Sequence, residues 1–147
     1  RIAERIGGGR VAATGHGRRA SYRDLPLPRM ACTILEPGLE DPRAILDGTK
    51  EGLLVRRLST GSMDPESGRV TLSVTEGFLI ERGVVTRRLA PTLLVSDVAT
   101  LLENIDAIGF DVMCDLGTTN CVKSDQQLPV MVGLPTIRIG MIRVISP

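Results

Sequence analysis

Tryptophan is absent, and two Phe and one Tyr bring the aromatic share to 2% of 147 residues. That argues against stacking platforms for single-stranded nucleic acid and against aromatic sugar-binding clefts. No apolar run approaches the roughly 18–20 residues of a membrane-spanning helix, so no membrane partner is expected. The opening Arg1-Ile2-Ala3-Glu4-Arg5 leads into Gly7-Gly8-Gly9 and does not read as a signal peptide. The first residue is Arg1 rather than Met, and a fragment of a longer protein is expected.

Histidine is nearly absent too. His16 is the only one, which removes a self-contained zinc site with two histidines, a paired-His acid–base mechanism and an HExxH helix. It lies in Thr14-Gly15-His16-Gly17-Arg18-Arg19, and no G-x-S-x-G elbow accompanies it, so it reads as an exposed loop residue. Cys32, Cys114 and Cys121 are odd in number and share no CxxC spacing. They fit a reducing, cytoplasmic compartment better than a disulfide framework.

What the chain does have is an adequate core and a balanced charge. Hydrophobic residues make up 42%, enough for one domain, and the formal charge is +1. The balance is uneven along the chain. Residues 1–30 hold seven Arg against two acids, whereas the remainder holds eleven basic and fifteen acidic groups. A basic arm can contact nucleic acid, but no recognition-helix or RNA-binding signature accompanies this one. The arginines are expected to face solvent or an acidic neighbour, and nucleic acid is not an expected partner.

Periodicity predicts an α+β domain, mostly antiparallel sheet of barrel-like or sandwich-like form, with two or more short helices. Leu25-Pro26-Leu27-Pro28 favours an extended course, and Met30 to Leu35 a short strand. Asp41-Pro42 starts a helix expected to fade near Gly52. Val70, Leu72 and Val74 alternate with polar residues, and Glu81-Arg82-Gly83 marks a hairpin turn. Val98, Leu101, Leu102, Ile105 and Ile108 form one apolar stripe, which predicts a helix over 98–108 ended by Gly109. Val130 to Val132 and Ile137 to Ile145 read as strands.

Four stretches, in order, resemble the C-terminal part of the TldD/PmbA family of metalloproteases, also described as modulators of DNA gyrase. They are Gly15-His16-Gly17-Arg18-Arg19-Ala20-Ser21-Tyr22 running into Leu25-Pro26-Leu27-Pro28-Arg29-Met30; Thr75-Glu76-Gly77-Phe78-Leu79-Ile80-Glu81-Arg82-Gly83; the stripe ending near Gly109; and Cys121 followed by Gln127-Leu128-Pro129-Val130 and Val132-Gly133-Leu134-Pro135-Thr136. The resemblance covers about residues 15–145, with 1–14 a linker or a remnant of an upstream domain, the whole counted as one domain.

The resemblance implies a parent zinc peptidase acting on unfolded or small peptides. Its His-Glu-x-x-x-His helix would lie upstream, with two histidines and one C-terminal cysteine as metal ligands and the glutamate activating water. Cys121 matches that cysteine, which favours the TldD-like branch, and thiolate is a reasonable zinc donor at about 2.3 Å. Cys32 and Cys114 match no ligand of the family. No His-Glu-x-x-x-His occurs here, so no catalytic residue is expected in this chain and zinc is not expected to be held by it alone. Part of a substrate channel, and a homodimer or a hetero-oligomer with a related subunit, follow from the same resemblance. The alternatives are a non-catalytic PmbA-like subunit or assembly domain, and a gyrase-associated modulator.

Overall fold

The computed structural model describes residues 16–145. In chain order the elements begin with β1 (Gly17–Arg18), β2 (Leu27–Pro28), β3 (Cys32–Ile34), α1 (Pro42–Asp47), β4 (Glu51–Met63), β5 (Arg69–Glu81) and β6 (Val84–Arg88). They continue with β7 (Thr92–Asp97), α2 (Val98–Glu103), β8 (Ile105–Ile108), β9 (Met113–Lys123), β10 (Gln126–Leu134), β11 (Ile137–Ile139) and β12 (Arg143–Ile145). Among the described residues strands predominate and the two helices are short, so the α+β class holds. Among the described residues the sheets stay open and none closes into a barrel. The chain divides into two compact units, one of Arg1–Ile34 with Cys114–Gly133, the other of Leu35–Met113 with Leu134–Pro147.

In the second unit β5 is the spine. β4 runs antiparallel along one edge, from Glu51 opposite Glu81 to Met63 opposite Val70. The other edge is shared: β6 covers Phe78 to Glu81 and β7 covers Arg69 to Val74. Leu89 N–H donates to the Gly77 carbonyl at 2.9 Å, so the ladder continues where β6 gives way to β7. The alternating stretch over 70–74 is thus a strand, with Val74 and Ile80 buried along it and Leu94 buried on β7. The expected hairpin is present. Arg82 and Gly83 both have positive φ (53° and 76°), the type I′ geometry that matches strand twist. The turn is docked, because Arg82 and Gly83 N–H donate to the carbonyls of Lys50 and Thr49 just after α1.

Both helices are shorter than their apolar patterns predict. α1 starts as expected, with the Asp41 carboxylate accepting from Arg43 N–H at 2.8 Å and Pro42 in the first turn. It ends at Asp47, capped by Gly48, and the chain to Gly52 belongs to a turn and to β4. α2 is capped by Asp97, whose carboxylate accepts from Thr100 N–H at 2.9 Å. It stops after Glu103 because Asn104 turns its amide back onto the Thr100 carbonyl at 2.7 Å. Ile105 to Ile108, expected to extend the helix, form β8 instead and pair antiparallel with β11. There β-branched Ile suits a strand, and Ala107 is buried between its neighbours.

The first unit is a pair of small sheets. β1 and β2 pair antiparallel, and β3 joins β10 in parallel. β9 and β10 are separated only by Ser124 and Asp125, both at positive φ (49° and 60°). β10 alternates cleanly, with Gln126, Leu128 and Val130 buried and Gln127 and Pro129 exposed.

Gly83→Ala should lower stability by roughly 2 kcal/mol or more, through positive φ and overpacking together. Its Cβ would stand 2.5 Å from the Asp47 carbonyl oxygen. Urea denaturation reads this as a lower midpoint with an unchanged slope. An unshifted midpoint would mean that the docked turn is not strained by a side chain.

Candidate functional site

Cys121 lies near the end of β9, half-buried, in a cluster made wholly by the first unit. The centre of that cluster is Arg29, only 5% exposed. Its Nη2 donates to the carbonyls of Cys121 (2.7 Å) and Gln126 (2.6 Å), and its Nη1 donates to Gln126 Oε1 at 3.2 Å. Gln126 is itself buried. Its Oε1 also accepts from Ala20 N–H, and its Nε2 donates to the Leu25 carbonyl. Arg18 donates to the carbonyls of Met30 and Pro129, and Lys123 Nζ donates to the Pro28 carbonyl. The loop between β1 and β2 is closed by Asp24, whose carboxylate accepts from the Ser21 amide and hydroxyl. The stretch 17–30 is therefore stitched to the β9–β10 hairpin by side chains reaching backbone carbonyls.

Electrostatics follow from this packing. Arg stays protonated in proteins, so Arg29 is a buried cation, and no ion pair among the described residues includes it. Carbonyl and amide dipoles offset its desolvation. The Cys121 thiol lies below its ordinary range. A hydrogen bond from the Met30 backbone amide is the largest cause, and the positive charges of Arg29 and Lys123 act with it against partial desolvation.

The other cysteines stand apart from this environment. Cys32 on β3 and Cys114 on β9 are exposed, as is His16, whose carbonyl accepts from Arg29 N–H. Among the described residues, no group of three His, Cys, Asp or Glu side chains is placed to hold a metal ion. Zinc normally takes three or four protein ligands. The donor set here fits one thiolate ligand and does not fit a complete zinc centre.

The basic arm is mostly occupied internally. Besides Arg18 and Arg29, Arg19 donates to the Tyr22 carbonyl, and Arg23 donates to the Tyr22 hydroxyl and sits over its ring. Arg29 does not face solvent or an acidic neighbour, because three oxygen acceptors bury it. Arg1, Arg5 and Arg10 lie outside the described residues. Gln126 and the role of Arg29 were not legible in the sequence. The one available signal was an arginine set in the apolar run Leu25-Pro26-Leu27-Pro28-Arg29-Met30.

The described residues form a β-rich α+β fold in which the Cys121 backbone is held on a polar clamp of Arg29 and Gln126. The chain matches the PmbA/TldA metallopeptidase C-terminal domain over residues 3–146, and it belongs to that family. It is 32% identical over 132 residues to the metalloprotease TldD homolog of Buchnera aphidicola, covering 90% of this chain and 27% of that protein. It is 33% identical over 134 residues to the metalloprotease TldD homolog of Haemophilus influenzae, covering 91% and 28%. A relative from Saccharolobus solfataricus, 28% identical over 132 residues, is named a zinc metalloprotease TldD homolog; the match covers 89% of this chain and 29% of that protein. The chain thus spans little more than a quarter of these relatives. Its fold is similar to that of part of TldE from Thermococcus kodakarensis, with a TM-score of 0.74 at 20% identity over 91% of this chain and 28% of that one.

In a Cys32→Ser, Cys114→Ser background without metal, alkylation should read Cys121 alone. Its rate should fall with decreasing pH only below the ordinary thiol range, since the thiolate is the nucleophile and its folded pKa is lowered. Arg29→Met should move that fall to higher pH. A profile with an ordinary midpoint, unmoved by Arg29→Met, would contradict the electrostatic account.

Proposed function

We propose that this chain is the C-terminal part of a TldD-like zinc peptidase that hydrolyses unfolded or small peptides. In this reading Cys121 supplies one metal ligand, and two histidines and a glutamate come from the protein upstream of it. Support comes from the identity to proteins named metalloproteases and from the setting of Cys121. The single observation that carries the ligand role is a half-buried thiol held on a fixed backbone beside Arg29 and Met30. Bound zinc would polarise a peptide carbonyl and activate water, while this chain's own part is to present the thiolate.

The chain acts as one domain of the parent and contributes part of its substrate channel. Extended peptides pair with an exposed strand edge there, which suits loose sequence specificity. The protein works as a homodimer or with a related subunit, as the family resemblance implies. Three free cysteines suit a cytoplasmic setting, and no helix among the described residues is long and apolar enough to cross a membrane.

The test is Cys121→Ser in the full-length protein, with zinc content by elemental analysis and hydrolysis of a short fluorogenic peptide. Zinc affinity should fall by more than the roughly 100-fold upper end of changes beyond the ligands themselves, and activity should fall with it. Cys32→Ser and Cys114→Ser should change neither. Full zinc and full activity in Cys121→Ser would overturn the reading.

A further inference from the structure

We propose that Leu39 and Phe110 form a docking knob that seats this chain on the upstream polypeptide of its parent, in an apolar pocket with a basic rim. This rests on the proposed function in one respect, that the chain is the C-terminal part of a longer protein. Aromatic residues are scarce, with two Phe in 147 residues. Phe78 is half-buried on β5, with the Arg56 guanidinium 6.0 Å from its ring centroid. Phe110, by contrast, is 58% exposed, and Leu39 is 99% exposed. Large apolar side chains are stabilised by leaving water, which neither does within this chain.

Backbone pairing within the second unit brings the two together. Glu40 and Gly109 form a parallel bridge: Glu40 N–H donates to the Ile108 carbonyl at 3.4 Å, and Phe110 N–H donates to the Glu40 carbonyl at 3.1 Å. Gly38 N–H donates to the Gly109 carbonyl at 2.9 Å. The residues on both sides of Leu39 are therefore tied to the segment that carries Phe110. That segment is anchored in turn. Gly109 N–H donates to the Thr136 carbonyl at 2.7 Å, and the Asp111 carboxylate accepts from the Thr136 amide and hydroxyl at 2.9 and 2.7 Å. A Cβ on Gly38 would overlap the Ile108 carbonyl, so the two segments approach closely. A knob on a fixed backbone loses little ordering entropy on docking.

Charge sets the chemistry of the partner surface. Residues 35–42 and 104–113 hold Glu36, Glu40, Asp41, Asp106 and Asp111, and no Lys or Arg. Arg138 pairs with Asp106 at 2.7 Å, which leaves the other four as an acidic rim. An apolar centre with an acidic rim fits an apolar pocket with a basic one. Length sets the occupant. The chain corresponds to 27% and 28% of the two TldD homologs, so most of a parent of that size lies outside it. A surface tethered in the same polypeptide acts at effective concentrations of about millimolar, which favours it over a second copy.

The test uses the full-length protein with Phe110 replaced by photoreactive p-benzoylphenylalanine, which keeps the aromatic ring. Light and heavy isotopic copies are mixed, irradiated, digested and read by mass spectrometry. The expected product joins position 110 to a peptide upstream of this chain that carries Lys or Arg beside apolar residues, within one isotopic copy. Mixed light–heavy products would overturn the proposal by making the occupant a second copy. So would the lack of any cross-link, or cross-links confined to this chain's own residues. A second measurement keeps Phe110 in place. Leu39→Cys, labelled with a maleimide and quantified at that site, should react roughly 10-fold or more slowly in the native protein than in urea. Equal rates would overturn the proposal as well. The zinc content and activity of Cys121→Ser decide the ligand reading alone and have no bearing on this surface.

Discussion

One guanidinium, desolvated and bonded to carbonyl oxygens, determines how the first unit is assembled. β1 and β2 are two residues each, and β3 is three. Strands this short carry little stability of their own. Leu128 and Val130 are the buried apolar side chains of that unit among the described residues, so apolar burial is thin. The hydrogen bonds of Arg29, Gln126 and Arg18 hold what a larger core would otherwise hold. Bonds to a charged group contribute about 1.5–3 kcal/mol each, whereas an orphaned buried partner costs a comparable amount. The cluster is therefore cooperative in the sense that losing Arg29 would strand several carbonyls at once.

The second unit solves the same problem with a sheet. There the legible features in the sequence were those with a strict local cause. Gly83 stands at a position of positive φ, and the alternation over Val70 to Val74 follows the pleat of β5. The helix ends were not legible. Ile105 and Ile108 continue the apolar spacing of α2, and only pairing with β11 takes them out of it. β4 was missed for a related reason. Its register against β5 shifts between Val55 and Gly61, so the outward and inward positions do not alternate along its length. β9 was hidden by Gly117 and its polar neighbours, which weaken any strand pattern, and its turn to β10 uses Ser124-Asp125 without a glycine.

The candidate site was legible only at Cys121, and there through resemblance rather than spacing. Nothing in the composition separates Cys121 from Cys32 and Cys114. What separates them is three-dimensional, since the Met30 amide and the Arg29 cation come from a segment some ninety residues away. Arg29 was counted with the basic arm because charge tallies carry no burial. Tertiary contacts convert one member of a charge run into an interior residue, and such a conversion leaves almost no trace in a single sequence.

The clamp bears on the order in which fold and metal site arise. In small zinc domains the metal supplies the folding free energy, and the ligands have no fixed place without it. Here the groups around Cys121 are bonded to one another, with the Arg29 guanidinium reaching the Cys121 and Gln126 carbonyls and Gln126 Oε1. Arg29, Gln126 and Arg18 satisfy carbonyls of the same unit, and the stitching is local to 17–30 and the β9–β10 hairpin. On the proposed reading, folding of this unit orients the thiolate first, and the metal meets a donor already in place. Pre-orientation of this kind lowers the ordering entropy paid on binding and narrows the geometry the ion can adopt. On that reading the polar contacts of Arg29 would hold the β9–β10 hairpin in place before ligands from other segments reached the ion.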